Sequence, residues 1–177
     1  MNCWKTINLN REFGLSRICL LSLLLGMLSF IFLYLFFSMI HQTSSVKDHG
    51  LIPLIAGLIL LPTIHKLTHI LPLILANKRI KFKWQLNAGI FPNFTFHTKT
   101  KMSKNTSLFV LLAPTTLISA PGLITSYIFV DYYVYFLLFV SVNIAFSFTD
   151  FLYMKQLLRA PKKCLVESEK DSFDILI

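Results

Sequence analysis

The sequence predicts an all-α membrane protein with four transmembrane helices and a short β-hairpin on the cytoplasmic side. Charge is scarce, apolar residues occur in four long runs, and basic residues are confined to the segments around them. Of the 177 residues, 55% are hydrophobic and 14% are charged, and the mean hydropathy is +0.65. Because a soluble domain carries about 25% charged residues, this composition favours an integral membrane protein, with residues 1–177 as a single multi-pass domain.

Each of the four apolar runs is long enough to cross a lipid bilayer. A helix of about 20 residues covers a hydrocarbon core of about 30 Å. The first run ends in bulky side chains and lacks the small residues of a signal-peptide cleavage site, which indicates a retained helix. The predicted spans are residues 18–40, 51–76, 107–130 and 132–154.

The basic residues indicate how these spans are oriented. Of the 17 Lys and Arg residues, 15 lie before the first span, in the loop 77–106 or in the tail 155–177. Positively charged segments stay in the cytoplasm. We therefore expect a cell-membrane protein whose two termini and 77–106 loop are cytoplasmic. Four tyrosines near the opposite ends of spans three and four fit an aromatic belt at the outer interface: Tyr127, Tyr132, Tyr133 and Tyr135.

The loop 77–106 has the alternating pattern of a β-hairpin. Apolar and polar residues alternate in KRIKFKWQLN and again in NFTFHTKT, and the turn residues of NAGIFPN lie between them. This alternation predicts two half-buried strands at the cytoplasmic membrane surface, with lysines facing water or anionic headgroups. A flexible basic loop is the alternative. The tail is expected to pack against the hairpin or to be disordered.

Four ionisable residues lie at membrane depth. The second span contains His65, Lys66 and His69, and the fourth span contains Asp150. All four residues lie in the cytoplasmic half of the membrane. Such residues suggest function, because a charge inside a bilayer is costly. Two histidines four residues apart and one carboxylate make a three-ligand site with an open fourth position, the usual arrangement of a catalytic zinc.

Further polar residues accompany this group. Asn143 and Ser147 share one helix face with Asp150, and are expected to line the site next to the histidines. On the third span, candidate lining residues are Thr115, Thr116 and Ser119. The alternative is that each polar group only forms a hydrogen bond inside the helix bundle.

Several motifs resemble those of a known family, and they extend over nearly the whole chain: HKLTHILPL, SLFVLLAPTTLI, SFTDFL and PKKCLVESEKDSFDI. The chain resembles the small bacterial membrane proteins called putative zincin peptidases, which are similar to the intramembrane site-two metalloproteases. The resemblance implies a metallopeptidase scaffold in which His65 and His69 are zinc ligands and Asp150 is the third ligand.

Lys66 departs from the His-Glu-x-x-His pattern of active members. In that pattern the glutamate is the general base that activates water, whereas a lysine ammonium has donors and no acceptor. The glutamates of this chain all lie outside the predicted spans: Glu12, Glu167 and Glu169. One hypothesis is that Lys66 replaces the metal by pairing with Asp150. The other is that its long side chain reaches the cytoplasmic interface.

The sequence therefore favours a non-catalytic relative of intramembrane zinc metallopeptidases. It would bind another membrane protein or an extended peptide, for which the hairpin offers a strand edge. Two alternatives remain: an active zinc peptidase with an atypical base, and a structural or accessory membrane protein without metal. The expected surroundings are the lipid bilayer, and no nucleic acid is expected as a partner. One small polar cluster offers little for a transport pathway, and no second axial ligand for haem stands out.

Overall fold

The computed structural model of the chain is mostly helical. It describes residues 3–42, 50–75, 81–85, 93–97, 102–161, 164–168 and 173–176. Over these residues the helices are α1 (Leu9–Phe13), α2 (Leu15–His41), α3 (Leu51–Leu75), α4 (Lys104–Ile128), α5 (Tyr133–Phe146) and α6 (Phe148–Arg159). A short 3-10 helix, Val130–Tyr132, joins α4 to α5.

Within the described residues, α2, α3 and α4 are each long and apolar enough to cross a membrane. They match the first three predicted spans to within three residues at each end. Large apolar side chains of α2 are exposed, including Phe32 at 70% and Met39 at 79%. Helices with such apolar outer faces are suited to contact with lipid hydrocarbon.

The fourth predicted span is bent. α5 ends at Phe146 and α6 begins at Phe148, with an angle of 46° at the break. At the break, the Ser147 hydroxyl donates to the Asn143 carbonyl at 3.0 Å, the kind of bond to the preceding turn that often bends helices. The bent pair supplies a fourth span if α5 and α6 cross the membrane together. The predicted span 132–154 therefore corresponds to two helices that meet at Ser147.

A four-stranded antiparallel sheet corrects the all-α prediction. Its strand order is β1-β6-β5-β4, and its strands are β1 (Cys3–Ile7), β4 (Met102–Ser103), β5 (Leu165–Ser168) and β6 (Phe173–Leu176). The tail therefore forms two strands over its described residues, and the expectation of disorder is wrong there. β4 has two residues and β5 and β6 have four each, at or below the shortest run in which alternation indicates a strand.

The predicted hairpin is confirmed. β2 (Lys81–Gln85) and β3 (Asn93–His97) pair antiparallel, with Phe82 opposite Phe96 and Trp84 opposite Phe94. They form a separate two-stranded sheet, so the strand partners of the tail are β1 and β4 and not the hairpin. The connecting residues 86–92 and the direction of the hairpin side chains lie outside the described part, and the placement at the membrane surface stays a prediction.

The described chain forms two compact units. The first comprises Met1–Leu15, Lys66–Ala113 and Thr149–Ile177. Its core contains buried side chains from the sheet and from α6, among them Ile7, Val166, Ile175 and Leu157. Lys104 donates to the Leu158 and Ala160 carbonyls at 3.0 and 2.6 Å, which satisfies acceptors that the end of a helix leaves without intrahelical donors.

The second unit comprises Ser16–His65 and Pro114–Phe148. Phe37, Tyr133 and Leu137 form the centre of its core, with partly buried neighbours from α2, α4 and α5. This unit also contains an apolar cavity of about 680 Å³, lined by residues of α3, α4 and α5 such as Leu54, Ile118 and Phe139.

Leu137 is expected to be a principal contributor to the stability of this core. Its side chain is fully buried, so Leu137→Ala should leave a cavity and lower the free energy of unfolding by about 2–5 kcal/mol. Leu35→Ala is the matched control, because Leu35 is 59% exposed and its truncation should change stability by about 0.5 kcal/mol or less. Reversible unfolding in mixed detergent micelles measures both, and equal losses would contradict the packing described.

Candidate metal centre

Both histidines of the predicted site project from one uninterrupted helix. α3 runs from Leu51 to Leu75, and residues four apart on a helix lie on the same face, one turn from each other. His65 is buried, with 8% exposure, and the side chain of His69 is 21% exposed. The helix geometry therefore presents the two imidazole rings on one face.

The orientation of the His69 ring is fixed from α4. Its Nδ1 lies 2.8 Å from the Val110 carbonyl oxygen. A carbonyl oxygen can only accept a hydrogen bond, so Nδ1 carries the proton and donates. In the neutral ring the lone pair is then on Nε2, the form that a metal ligand requires.

Asp150 lies next to His69. The Asp150 Oδ2 is 3.5 Å from the His69 Nε2, and the Asp150 side chain is 12% exposed. Because α6 begins at Phe148, Asp150 is in its first turn, where the helix dipole stabilises a negative charge. The break at Ser147 therefore gives the buried carboxylate a favourable position.

His65 is oriented by a second network. Its Nδ1 lies 3.0 Å from the Asn143 Oδ1. Asn143 is fully buried, and its Nδ2 donates to the Pro114 carbonyl at 3.2 Å and to the Ser119 hydroxyl at 3.0 Å. Since the Pro114 carbonyl can only accept, the amide nitrogen is identified, and Oδ1 must accept from His65. The His65 ring thus has the same tautomer as His69.

His65, His69 and Asp150 each offer one ligand atom, and these atoms lie within 4.8 Å of one another. Two imidazoles and a carboxylate are a donor set that zinc uses in catalytic sites. The structure also brings Asn143 against His65, while the Ser147 hydroxyl bonds to the Asn143 backbone. Of the two lining residues predicted on the fourth span, Asn143 contacts a candidate ligand directly and Ser147 bonds to the backbone of Asn143.

The separation of His69 and Asp150 fits a shared cation. Two ligands of a tetrahedral zinc, each about 2.0–2.1 Å from the ion, lie about 3.3 Å apart, close to the observed 3.5 Å. Without an ion, a lone pair on Nε2 would face a carboxylate oxygen. A second proton on His69 would also satisfy this contact, as an imidazolium–carboxylate pair. The donor set and this distance fit zinc, and the protonated pair is the metal-free alternative.

Lys66 does not take the place of the metal. It is partly exposed, and no hydrogen bond or ion pair of Lys66 occurs within the part of the chain that the structure describes. The Asp150 Oδ2 lies 3.5 Å from the His69 Nε2 instead. The hypothesis of a Lys66–Asp150 pair therefore has no support from the geometry.

The described structure supplies no replacement for the glutamate of the His-Glu-x-x-His pattern. Glu12 is in α1, where it lies 3.8 Å from Lys5, and Glu167 is in β5 opposite Asp174. Glu169 lies outside the described residues.

Sequence reasoning missed how the histidines are held. The acceptor for His69 is a backbone carbonyl, and no side chain marks such a position in a sequence. The available signal was Pro114 in the middle of an apolar span, because a proline inside a helix leaves a carbonyl of the preceding turn without its usual donor.

One comparison with known proteins gives a family match. The model of a family described as "Putative zincin peptidase" matches residues 58–165. The matched region includes both histidines and Asp150. Among curated proteins and solved structures, none matches this chain.

Proposed function

The chain belongs to the putative zincin peptidase family, and from this premise we propose that it holds zinc through His65, His69 and Asp150 without cleaving peptides. In this proposal the chain is a membrane protein that binds a polypeptide partner instead of cutting it. Its apolar helices and its family agree with a membrane protein related to zinc peptidases.

One observation carries the zinc assignment. Each histidine donates its Nδ1 proton to a fixed acceptor, His65 to Asn143 and His69 to the Val110 carbonyl. Metal-binding histidines have this second hydrogen bond almost without exception, because it sets the tautomer and the ring orientation. Two such bonds on adjacent turns of α3 support a metal site more strongly than the spacing of the histidines alone.

The position of Lys66 supports the non-catalytic assignment. Zinc, when bound, would supply a Lewis acid for polarising a carbonyl or a water molecule. A peptidase also needs a group that accepts a proton, and a charged lysine cannot do so. The residues described thus provide for binding and orientation of the ion, but not for proton transfer.

The proposed partner is an extended peptide, or a membrane protein that presents one. The hairpin forms a two-stranded sheet of its own, and within the described residues each of its strands pairs on one side. An extended segment can add to such an edge through backbone hydrogen bonds. The distribution of basic residues supports a cytoplasmic position for the hairpin and for both termini in a bacterial cell membrane.

Metal content tests this proposal. The detergent-purified protein is expected to contain one zinc per chain, and His65→Ala/His69→Ala should contain none. His41→Ala is the matched control, because His41 also bonds to a backbone carbonyl, that of Ser126 at 3.2 Å, but lies on α2. Elemental analysis after dialysis against zinc-containing buffer measures all three, and the control should retain its zinc.

The possible outcomes separate the alternatives. Absence of zinc from the unmodified protein, even after zinc is supplied, would overturn the assignment. It would favour an accessory membrane protein in which His69 and Asp150 form an imidazolium–carboxylate pair. Cleavage of labelled casein by the unmodified protein, abolished in His65→Ala, would instead favour an active peptidase with an atypical base. Bound zinc without cleavage is the result expected here.

A further inference from the structure

We propose that Pro114 of α4 is a positioning residue that sets the tautomer of both histidines. This inference rests on the proposed zinc site, in which His65 and His69 must present Nε2 to the ion. Pro114 affects His69 through its missing N–H, and it affects His65 through its carbonyl. A single residue of α4 would thus organise the surroundings of both ligands.

The first action is on His69. Residue 114 would ordinarily donate its N–H to the carbonyl of residue 110 in an α-helix. Proline has no N–H, and its ring also pushes against the carbonyl of the residue four positions earlier. The Val110 carbonyl is therefore left as an acceptor, and His69 Nδ1 donates to it at 2.8 Å.

The second action is on His65. The Pro114 carbonyl accepts a hydrogen bond from the Asn143 Nδ2 at 3.2 Å, and Ser119 accepts the other Nδ2 proton at 3.0 Å. With both protons assigned, the Asn143 Oδ1 can only face His65, whose Nδ1 lies 3.0 Å away. Asn143 is fully buried, so water does not compete for these bonds.

A second proline in the same helix provides a matched control. Pro121 also lies inside α4 and also lacks the N–H that would bond four residues back, to Leu117. Leu117 is 44% exposed, and within the described residues no imidazole nitrogen bonds to its carbonyl. The two prolines therefore separate the general effect of a proline inside a helix from the effect on a histidine. The carbonyl four residues before Pro114 bonds to His69.

Zinc affinity is the first measurement. Pro114→Ala restores an N–H that competes with His69 for the Val110 carbonyl, and is expected to weaken zinc binding by about 10–100-fold, as loss of an outer hydrogen-bond partner does. Pro121→Ala should change the affinity by about threefold or less. Chelator competition in detergent measures both. Equal affinities of Pro114→Ala and the unmodified protein would overturn the inference.

Histidine tautomers in the metal-free protein are the second measurement. Nitrogen-15 NMR of labelled imidazoles is expected to show His65 and His69 with the proton on Nδ1. In Pro114→Ala, His69 should show mixed tautomers, whereas His65 should be unchanged because alanine keeps the carbonyl that Asn143 bonds to. Pro121→Ala should leave both histidines unchanged. An unchanged spectrum of Pro114→Ala would contradict the positioning role. If the unmodified protein binds no zinc, the proposed function fails, and the tautomers alone still decide the role of Pro114. Pro114→Gly, which also restores the N–H, replaces Pro114→Ala if that variant does not fold.

Discussion

If the chain holds zinc without cleaving peptides, as proposed, Lys66→Glu is expected to give it a zinc-dependent peptidase activity. The substitution completes the His-Glu-x-x-His pattern on α3 and places a proton acceptor one residue after a proposed ligand. A positioned general base contributes about 10²–10⁴-fold to the rate of such reactions. Cleavage of labelled casein by the purified variant, with the unmodified protein assayed in parallel, measures the gain.

Two controls separate the base from the change in charge. Lys66→Gln removes the positive charge without adding a basic carboxylate, so it should bind zinc somewhat more tightly but remain inactive. Lys66→Glu combined with His65→Ala should also be inactive, because one proposed ligand is lost. A Lys66→Glu protein that holds zinc and still cleaves nothing would show that a glutamate at position 66 is not sufficient for peptidase activity.

Asp150→Asn is expected to remove most of the zinc affinity. The amide has nearly the same shape as the carboxylate, but it carries no charge to neutralise the ion. Loss of an outer hydrogen-bond partner already weakens metal binding by about 10–100-fold, so the loss of a ligand should exceed about 100-fold. Competition with a chromophoric chelator at fixed pH measures the dissociation constant.

Asp131→Asn is the corresponding control for charge removal. Asp131 lies in the 3-10 helix between α4 and α5, outside the proposed ligand group, and its neutralisation should leave zinc binding within about threefold of the unmodified value. Retention of tight zinc binding by Asp150→Asn would exclude Asp150 as the third ligand. That result would favour a contact between Asp150 and a protonated His69, as an imidazolium–carboxylate pair.

The helical part of the fold was predictable because apolar runs of helix length leave a strong signal. The boundaries of α2, α3 and α4 follow directly from hydropathy, and alternation revealed the hairpin. The bend at Ser147 depends on a local side-chain bond to the Asn143 carbonyl, which hydropathy does not record. The four-stranded sheet depends on pairing between distant segments, such as Lys5 with Ile175, and its strands are too short to stand out alone.

The ionisable side chains of the site could be predicted from the sequence, but the backbone carbonyl that orients His69 could not. His65, His69 and Asp150 could be grouped because ionisable residues are rare in apolar spans and their depths could be counted. The direction of the Lys66 side chain could not be inferred, since a long flexible side chain can adopt several positions. The role of Val110 required knowledge of which face of α4 meets His69, and that is set by helix packing.

The pairing of β1 with β6 constrains the order in which the protein is completed during synthesis. Within the described residues β6 is the strand neighbour of β1, and more than 160 residues separate them along the chain. At about 5–20 residues per second, β1 waits about 10–30 s on the ribosome while the apolar helices are made. A chain that stops before residue 173 keeps an unpaired strand edge, which favours aggregation and quality-control proteolysis.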